Sequence, residues 1–241
     1  MALLDPLRRT RRRAFDAVRR RIGDSRWGRS RLCRRLASVD RLHVGCGANW
    51  VDGWLNVGLL DPGGHPYGSL QRHHGALVLR LDLTLGLPIP EAALRYVYGS
   101  HFIEHLAFPQ ALAFLGECRR ALRPGGRIRL TCPDLELWAR RYLEDDRDFL
   151  ERYAELTRER REDQGLPPPR TRGQIMMSQV HGWGHRWAYD EESLRDLLER
   201  TGFGEVSRRD HHRSALPDVE LLEPSTPTRL LETLYVEAVR R

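Results

Sequence analysis

His101, Glu104 and His105 fall within five residues as His-x-x-Glu-His, so two imidazoles and a carboxylate share one short segment. Such a set can carry a proton or hold a metal ion. The order formally matches an inverted zinc-peptidase motif, and on a helix residues four apart do share a face. That chemistry needs a long helix on both sides and a further acidic ligand one helix away. Here the motif directly follows an apolar strand-like run, and Pro109 stands four residues beyond it. Peptidase chemistry is therefore set aside. A capping or packing role for His105 stays open.

Other residues with chemical potential lie at the ends of apolar runs. Gly45-Cys46-Gly47 closes one such run, and glycine there lets a ligand reach backbone amides without a Cβ in the way. Asp82 and Leu83 close another; a turn aspartate is the plainer role for Asp82. Asp134 follows Cys132-Pro133, where an N-cap is the alternative to lining a pocket. His181 and His185 bracket Gly182-Trp183-Gly184, a pattern that reads as a lid or flap over a pocket. A metal site from His181 and His185 with His101 and His105 is the weaker alternative, and no metal is expected.

These groups need a scaffold. From Arg41 onward, strand-like and helix-like stretches alternate. Leu42–Cys46, Trp54–Leu59, Leu77–Leu83, Leu94–Gly99 and Gly126–Cys132 read as strands. Phe108–Leu122 reads as an amphipathic helix with Leu112, Leu115 and Leu122 inward, and Leu135–Arg161 as a long charged helical stretch. The proline cluster Pro167–Pro169 opens a loop running to about Trp187. Glu191–Thr201 is a helix stopped by Gly202. Glu205–Asp210 and Thr233–Val239 close the chain as antiparallel partners at the sheet edge. The interleaving predicts an α/β fold, a mostly parallel sheet of seven strands covered by helices on both faces. It divides the chain into a basic helical extension at 1–40 and one domain at 41–241, with a loop or lid insertion at about 140–188.

Composition agrees with one large domain. The 241 residues are 40% hydrophobic, enough for a core. The formal charge of +7 is uneven. Residues 1–40 hold 13 Arg and 4 acids, and the remainder holds 27 Arg and 29 acids. The body therefore offers no nucleic-acid surface by charge alone, and no nucleic-acid partner is expected. Membrane contact by the basic head, whose stretch Pro6–Arg21 reads as an amphipathic helix, stays open. No apolar run approaches the length of a membrane span, and the start of the sequence lacks an apolar signal core, so a cytoplasmic location is expected. The four cysteines are scattered and read as buried small hydrophobes.

The segments LHVGCG, DGWLNV, LDLTLGLPIP, VYGSHFIEHL, ECRRALRPGGRIRLTCPDL and HRWAYDEESLRDLLERTGF follow one another over roughly 41–140 and 185–239. In that order they resemble a bacterial subgroup of small class I S-adenosylmethionine-dependent methyltransferases, of the methyltransferase type 11 kind, and TLYVEAVRR resembles its closing strand. The resemblance implies a Rossmann-like sheet, S-adenosylmethionine as cofactor, and methylation of an oxygen or nitrogen on a small molecule, sugar or natural-product scaffold. It implies that Gly45, Cys46 and Gly47 face the methionine part of the cofactor. Asp82 would accept from the adenine amino group while Leu83 packs the ring. Ser100 and His101 would contact cofactor or substrate, and Glu104 or His105 would hold or deprotonate the nucleophile. Asp134, His181 and His185 would lie on the substrate side, and a homodimer is left open.

Two features depart from the pattern. The family's second strand ends in an acid that grips the ribose hydroxyls, as in LNVD, whereas this chain has Leu55-Asn56-Val57-Gly58. Asp61 is the candidate substitute. Only Ala48–Asp52 separates the first two strands, so the usual first crossover helix is expected to be missing. The loss at Gly58 keeps a second reading alive: a methyltransferase-like fold that does not methylate, as a non-catalytic partner or an enzyme reusing the pocket.

Overall fold

A computed structural model of the chain describes residues 26–59 and 66–241. Asp61 and the stretch Pro6–Arg21 lie outside the described residues.

Helix α1 (Arg26–Arg35) leads into β1 (Arg41–Val44), β2 (Leu55–Gly58), β3 (Leu70–His73), β4 (Ala76–Arg80) and β5 (Leu94–Ser100). Helix α2 (Phe108–Ala121) and β6 (Leu122–Pro133) follow. Four helices come next: α3 (Leu135–Leu143), α4 (Arg147–Leu156), α5 (Arg158–Asp163) and α6 (Arg172–His181). The chain closes with α7 (Glu191–Arg200), β7 (Phe203–Arg209), α8 (Val219–Leu222), α9 (Pro227–Glu232) and β8 (Thr233–Arg240).

The eight strands form one sheet in the order β3-β4-β2-β1-β5-β6-β8-β7. Strands β4, β2, β1, β5 and β6 run parallel, as the alternating pattern predicts. Strand β8 pairs antiparallel with both β6 and β7, so it is inserted between them rather than lying outside β7. The eighth strand is β3, which makes an antiparallel hairpin with β4 through His74 and Gly75. Both have positive φ, +47° at His74 and +95° at Gly75, as the tight turn requires. No helix separates β1 from β2, in line with the short link between them.

One face of the sheet is apolar because alternate residues point to it. Leu42 and Val44 of β1, Val97 of β5, Ile128 and Leu130 of β6, and Val236 of β8 are buried together there with Leu32, Phe114, Leu115, Cys118, Leu194 and Leu197. Those partners are the inner faces of α1, α2 and α7, with the three-and-four spacing of amphipathic helices. Asp190 caps α7 by accepting from Ser193 N at 2.8 Å, and the Ser193 hydroxyl returns to Asp190 N at 3.1 Å. Gly202 follows with φ +86°.

The opposite face mixes polar groups with a small apolar cluster of Val51, Trp54, Tyr98, Leu216 and Leu222. His43, Asn56, Arg129 and Glu237 project there from β1, β2, β6 and β8, and all four are buried. Asn56 is held by Val51 and Trp54 of the loop before β2, while Arg129 and Glu237 are covered by the segment between β7 and β8. Arg129 is saturated by it: Nε and Nη2 donate to Glu223 at 2.5 and 2.9 Å, Nη1 to Glu237 at 3.1 Å, and both Nη groups to the carbonyls of Arg213 and Asp210. A guanidinium with every face paired is the arrangement that lets a charge be buried.

The charged stretch after β6 is three helices rather than one, and the expected loop to Trp187 contains α6. Thr157 joins α4 to α5 with φ −104° and ψ 4°, outside the helical range, which ends the run. Trp138, Phe149, Leu150, Tyr153 and Ile175 pack these helices into a small core of their own. Among the described residues no helix is long and apolar enough to cross a membrane.

Candidate active site

The strand ends at Val44, Gly58, Arg80 and Ser100 lie along one edge of the sheet, the edge where ligands bind in open parallel α/β sheets. Gly45 has φ +70°, and a Cβ on it would stand 2.7 Å from the Ser100 carbonyl oxygen and 2.8 Å from Phe102 Cβ. Gly47 has φ +50°, and among the described residues no atom beyond its chain neighbours lies within 4 Å of where its Cβ would be. One glycine thus permits close packing against the loop after β5, and the other borders open space. Cys46, between them, is buried.

Asp82 follows β4 and caps a single 3₁₀ turn at Leu83–Leu85, accepting from Thr84 N at 3.0 Å and Thr84 Oγ1 at 2.7 Å. The plain turn role is therefore present. Leu83 is buried in the main core. Gly58 ends β2 opposite Arg80 and brings no side chain to the edge.

The loop after β5 gathers the chemistry. His101 takes φ +41°, a sparsely populated conformation for a residue with a side chain. Its Nε2 lies 2.9 Å from Thr233 Oγ1, and its Nδ1 lies 3.3 Å from Glu104 Oε1. A single 3₁₀ turn over Ile103–His105, rather than a long helix, carries Glu104 and His105. Glu104 is 1% exposed, and neither carboxylate oxygen has a hydrogen bond. Burial, with Glu232 adding like charge, pushes its carboxyl well above the ordinary carboxylate range.

His105 Nδ1 sits 3.3 Å from the Gly184 carbonyl, and His185 Nδ1 sits 2.6 Å from the Gln179 carbonyl. The two rings meet edge to face at 4.9 Å. Burial holds both imidazoles below their usual value, His185 at about 4. The 181–187 segment is pinned onto this turn, since Arg186 N and Trp187 N both donate to the Glu104 carbonyl.

His101, Glu104, His105 and His185 line one cavity of about 250 Å³. Ser100 opens onto a smaller neighbouring cleft, which shares His101 and Arg229 with the large one. Two predicted substrate residues lie elsewhere. Asp134 is buried, caps α3 by accepting from Leu137 N, and takes a 2.7 Å contact from Arg208. His181 is exposed at the end of α6 beside Pro167 and Met177.

Several cavity residues escaped the sequence reading. Tyr153 and Arg160 come from the helices after β6, and Thr226, Thr228, Arg229 and Glu232 from the segment before β8. Arg229 Nη1 is buried without a hydrogen bond. Glu232, pushed up to about 7 by burial, accepts from Trp138 Nε1 at 3.3 Å. One signal was available: the link between β7 and β8 runs from Asp210 to Glu232, far longer than a hairpin connection needs.

The chain is 35% identical over 109 residues to a curated protein of Mycolicibacterium smegmatis named a probable S-adenosylmethionine-dependent methyltransferase. That alignment takes in 43% of this chain and 42% of the relative, so the chain spans well under half the relative's length. No protein-family model matches. Among solved structures, a SAM-dependent methyltransferase from Thermotoga maritima superposes with a TM-score of 0.47 and 17% identity, covering 93% of this chain and 92% of that one. One from Archaeoglobus fulgidus gives 0.44 and 15%, covering 88% and 92%. Strand order defines a Rossmann-like α/β sheet whose last strand, β8, is antiparallel and inserted between β6 and β7, and the sequence similarity to a probable S-adenosylmethionine-dependent methyltransferase extends over 43% of the chain.

Proposed function

We propose that this chain is an S-adenosylmethionine-dependent methyltransferase that methylates an oxygen or nitrogen of a small molecule bearing a negatively charged group. The observation that carries this reading is the cavity under the loop after β5, where Glu104 and His105 share walls with Arg160 and Arg229.

The cofactor's methionine end fits at Gly47, whose missing side chain leaves open space against the backbone turn. Its ribose lacks the usual partner, because Gly58 offers no carboxylate. When bound, the cofactor supplies an electrophilic methyl group on a sulfonium that is already a good leaving group. The protein's part is placement and proton acceptance, and placement carries most of the rate. Glu104 and His105, held by the turn after β5, stand where they can take the acceptor's proton. Arg229, with an unpaired buried nitrogen, and Arg160 favour an acceptor carrying a carboxylate or phosphate.

Gly58 supports the second reading, a fold that no longer methylates. Calorimetric titration with S-adenosylhomocysteine separates the two. Saturable binding, followed by transfer of labelled methyl to a panel of acidic acceptors, is the expected result. Absence of binding at millimolar ligand would overturn the first reading.

A further inference from the structure

Two clusters among the described residues bring three metal-ligating side chains together, and they differ in what their ligand atoms are doing. In the first, one ligand atom each from Glu104, His105 and His185 lies within 4.8 Å of the other two. In the second, His211 and His212 direct Nε2 at the Glu223 carbonyl, while both Glu223 carboxylate oxygens are taken by Arg129. The second cluster is satisfied by protein. The first is not.

We propose that Glu104, His105 and His185 form a binding site for one divalent transition-metal ion of the zinc type, open on its remaining side to the cavity. Three observations carry this. Both imidazoles have Nδ1 within reach of a backbone carbonyl, Gly184 for His105 and Gln179 for His185. That contact fixes the tautomer with Nδ1–H donating and leaves the Nε2 lone pair to ligate, the outer-shell pattern of metal-bound histidine. The Glu104 carboxylate is buried with neither oxygen hydrogen-bonded, an arrangement that is costly unless something else engages it. His101 Nδ1 stands 3.3 Å from Oε1, its other ring nitrogen being at Thr233, so Oε2 is the oxygen left with no neighbour of opposite charge. Finally, the ligand types match: two imidazole nitrogens and one carboxylate suit zinc, iron(II), cobalt and nickel rather than magnesium or calcium.

The geometry is close to closed. Ligands about 2.1 Å from a tetrahedral ion stand roughly 3.4 Å apart. With one ring nitrogen taken from each histidine, the three ligand atoms lie within 4.8 Å of one another, so they have at most somewhat more than one ångström to close by side-chain rotation. Arg160, Arg229 and Glu232 face the same cavity. An open position facing the cavity can take an acceptor oxygen and polarise it. Ion binding stands on the three ligands alone; with an ion bound, Glu104 and His105 ligate it and no longer serve as the proton acceptors of the ion-free site.

The test uses untagged full-length protein, stripped of metal, titrated with Zn²⁺ by calorimetry and with Co²⁺ by visible absorption. The expected result is one ion per chain, a visible band typical of low-coordinate cobalt, and a rise in the unfolding temperature with Zn²⁺. Glu104→Gln and His185→Asn should each weaken Zn²⁺ at least a hundredfold, with far-ultraviolet dichroism showing that the apo variants fold. His211→Asn should leave the titration unchanged. No uptake at hundred-micromolar Zn²⁺, or undiminished uptake in either ligand variant with loss in His211→Asn, would overturn the site.

Discussion

Gly45 and Ser100 are packed so closely that a single Cβ on the glycine would press 2.7 Å from the serine's carbonyl oxygen. The glycine turn after β1 and the histidine-bearing loop after β5 thus form one rigid unit. Gly47, two residues on, borders open space. The two glycines should therefore respond differently to alanine. Gly45→Ala combines a backbone clash with positive φ and should destabilise the fold by about 2–4 kcal/mol, read by urea denaturation. Gly47→Ala should cost only about 1 kcal/mol of backbone strain while weakening S-adenosylhomocysteine tenfold or more. Equal effects on folding from both changes would contradict this division.

Much of this arrangement was readable from residue types. The alternation in LHV, VYG and IRLTC gives the parallel strands because one face must be apolar, and the Asp190–Ser193 cap and Gly202 fix α7 locally. The cavity was half legible. His101, Glu104 and His105 share a segment, and His185 announced itself beside glycines. Arg229 and Glu232 did not, because they arrive through a long connection whose fold depends on Arg129, a buried charge that no periodicity reveals. Asp134 takes the N-cap role, one of the two its position allowed, for a local reason: a carboxylate three residues before a free helical N–H satisfies that amide first.

Arg129 makes its own prediction. It is fully buried and paired with Glu223 and Glu237, so it fastens the 210–224 segment to the sheet. Removing one side of a buried ion pair leaves uncompensated charge, a loss of about 3–5 kcal/mol. Arg129→Met should show a loss of that size in urea. Because the segment continues into Arg229, the variant should also bind any acidic acceptor more weakly. Adding Glu223→Gln to Arg129→Met should recover part of the stability, since it removes one stranded carboxylate.

His43 predicts a pH dependence of folding. Its Nδ1–H donates to Asn56 Oδ1 at 3.0 Å, its Nε2 is buried without a partner, and burial lowers its pKa from 6.5 to about 4. Between those values the unfolded chain binds a proton that the folded chain refuses. Stability from this residue is therefore complete above about pH 6.5 and falls as pH drops toward 4. At pH 5 the loss is about 2 kcal/mol for one group. His43→Gln cannot take up a proton, so its denaturation midpoint should fall less between pH 7 and pH 5 than that of the parent. Identical pH slopes in the two proteins would show that His43 is not the titrating group.

Gly58 is the position where chemistry and resemblance disagree most, and it can be tested by adding rather than removing a side chain. It ends β2 in parallel register with Arg80, is half-buried, and does not require positive φ, so its backbone accepts any residue. A carboxylate there would face a ribose lodged at the strand edge and accept from both of its hydroxyls. Each charge-assisted hydrogen bond of this kind contributes on the order of 1.5–3 kcal/mol. Gly58→Asp should therefore tighten S-adenosylhomocysteine at least tenfold, with most of the change in the dissociation rate. The same variant should leave ribose-free ligands unaffected, because the gain depends on the two hydroxyls, and 2′-deoxy analogues should recover only part of it. An unchanged affinity for the full nucleoside in a well-folded Gly58→Asp protein would mean that the ribose does not pass the end of β2, and the cofactor orientation proposed here would have to be abandoned.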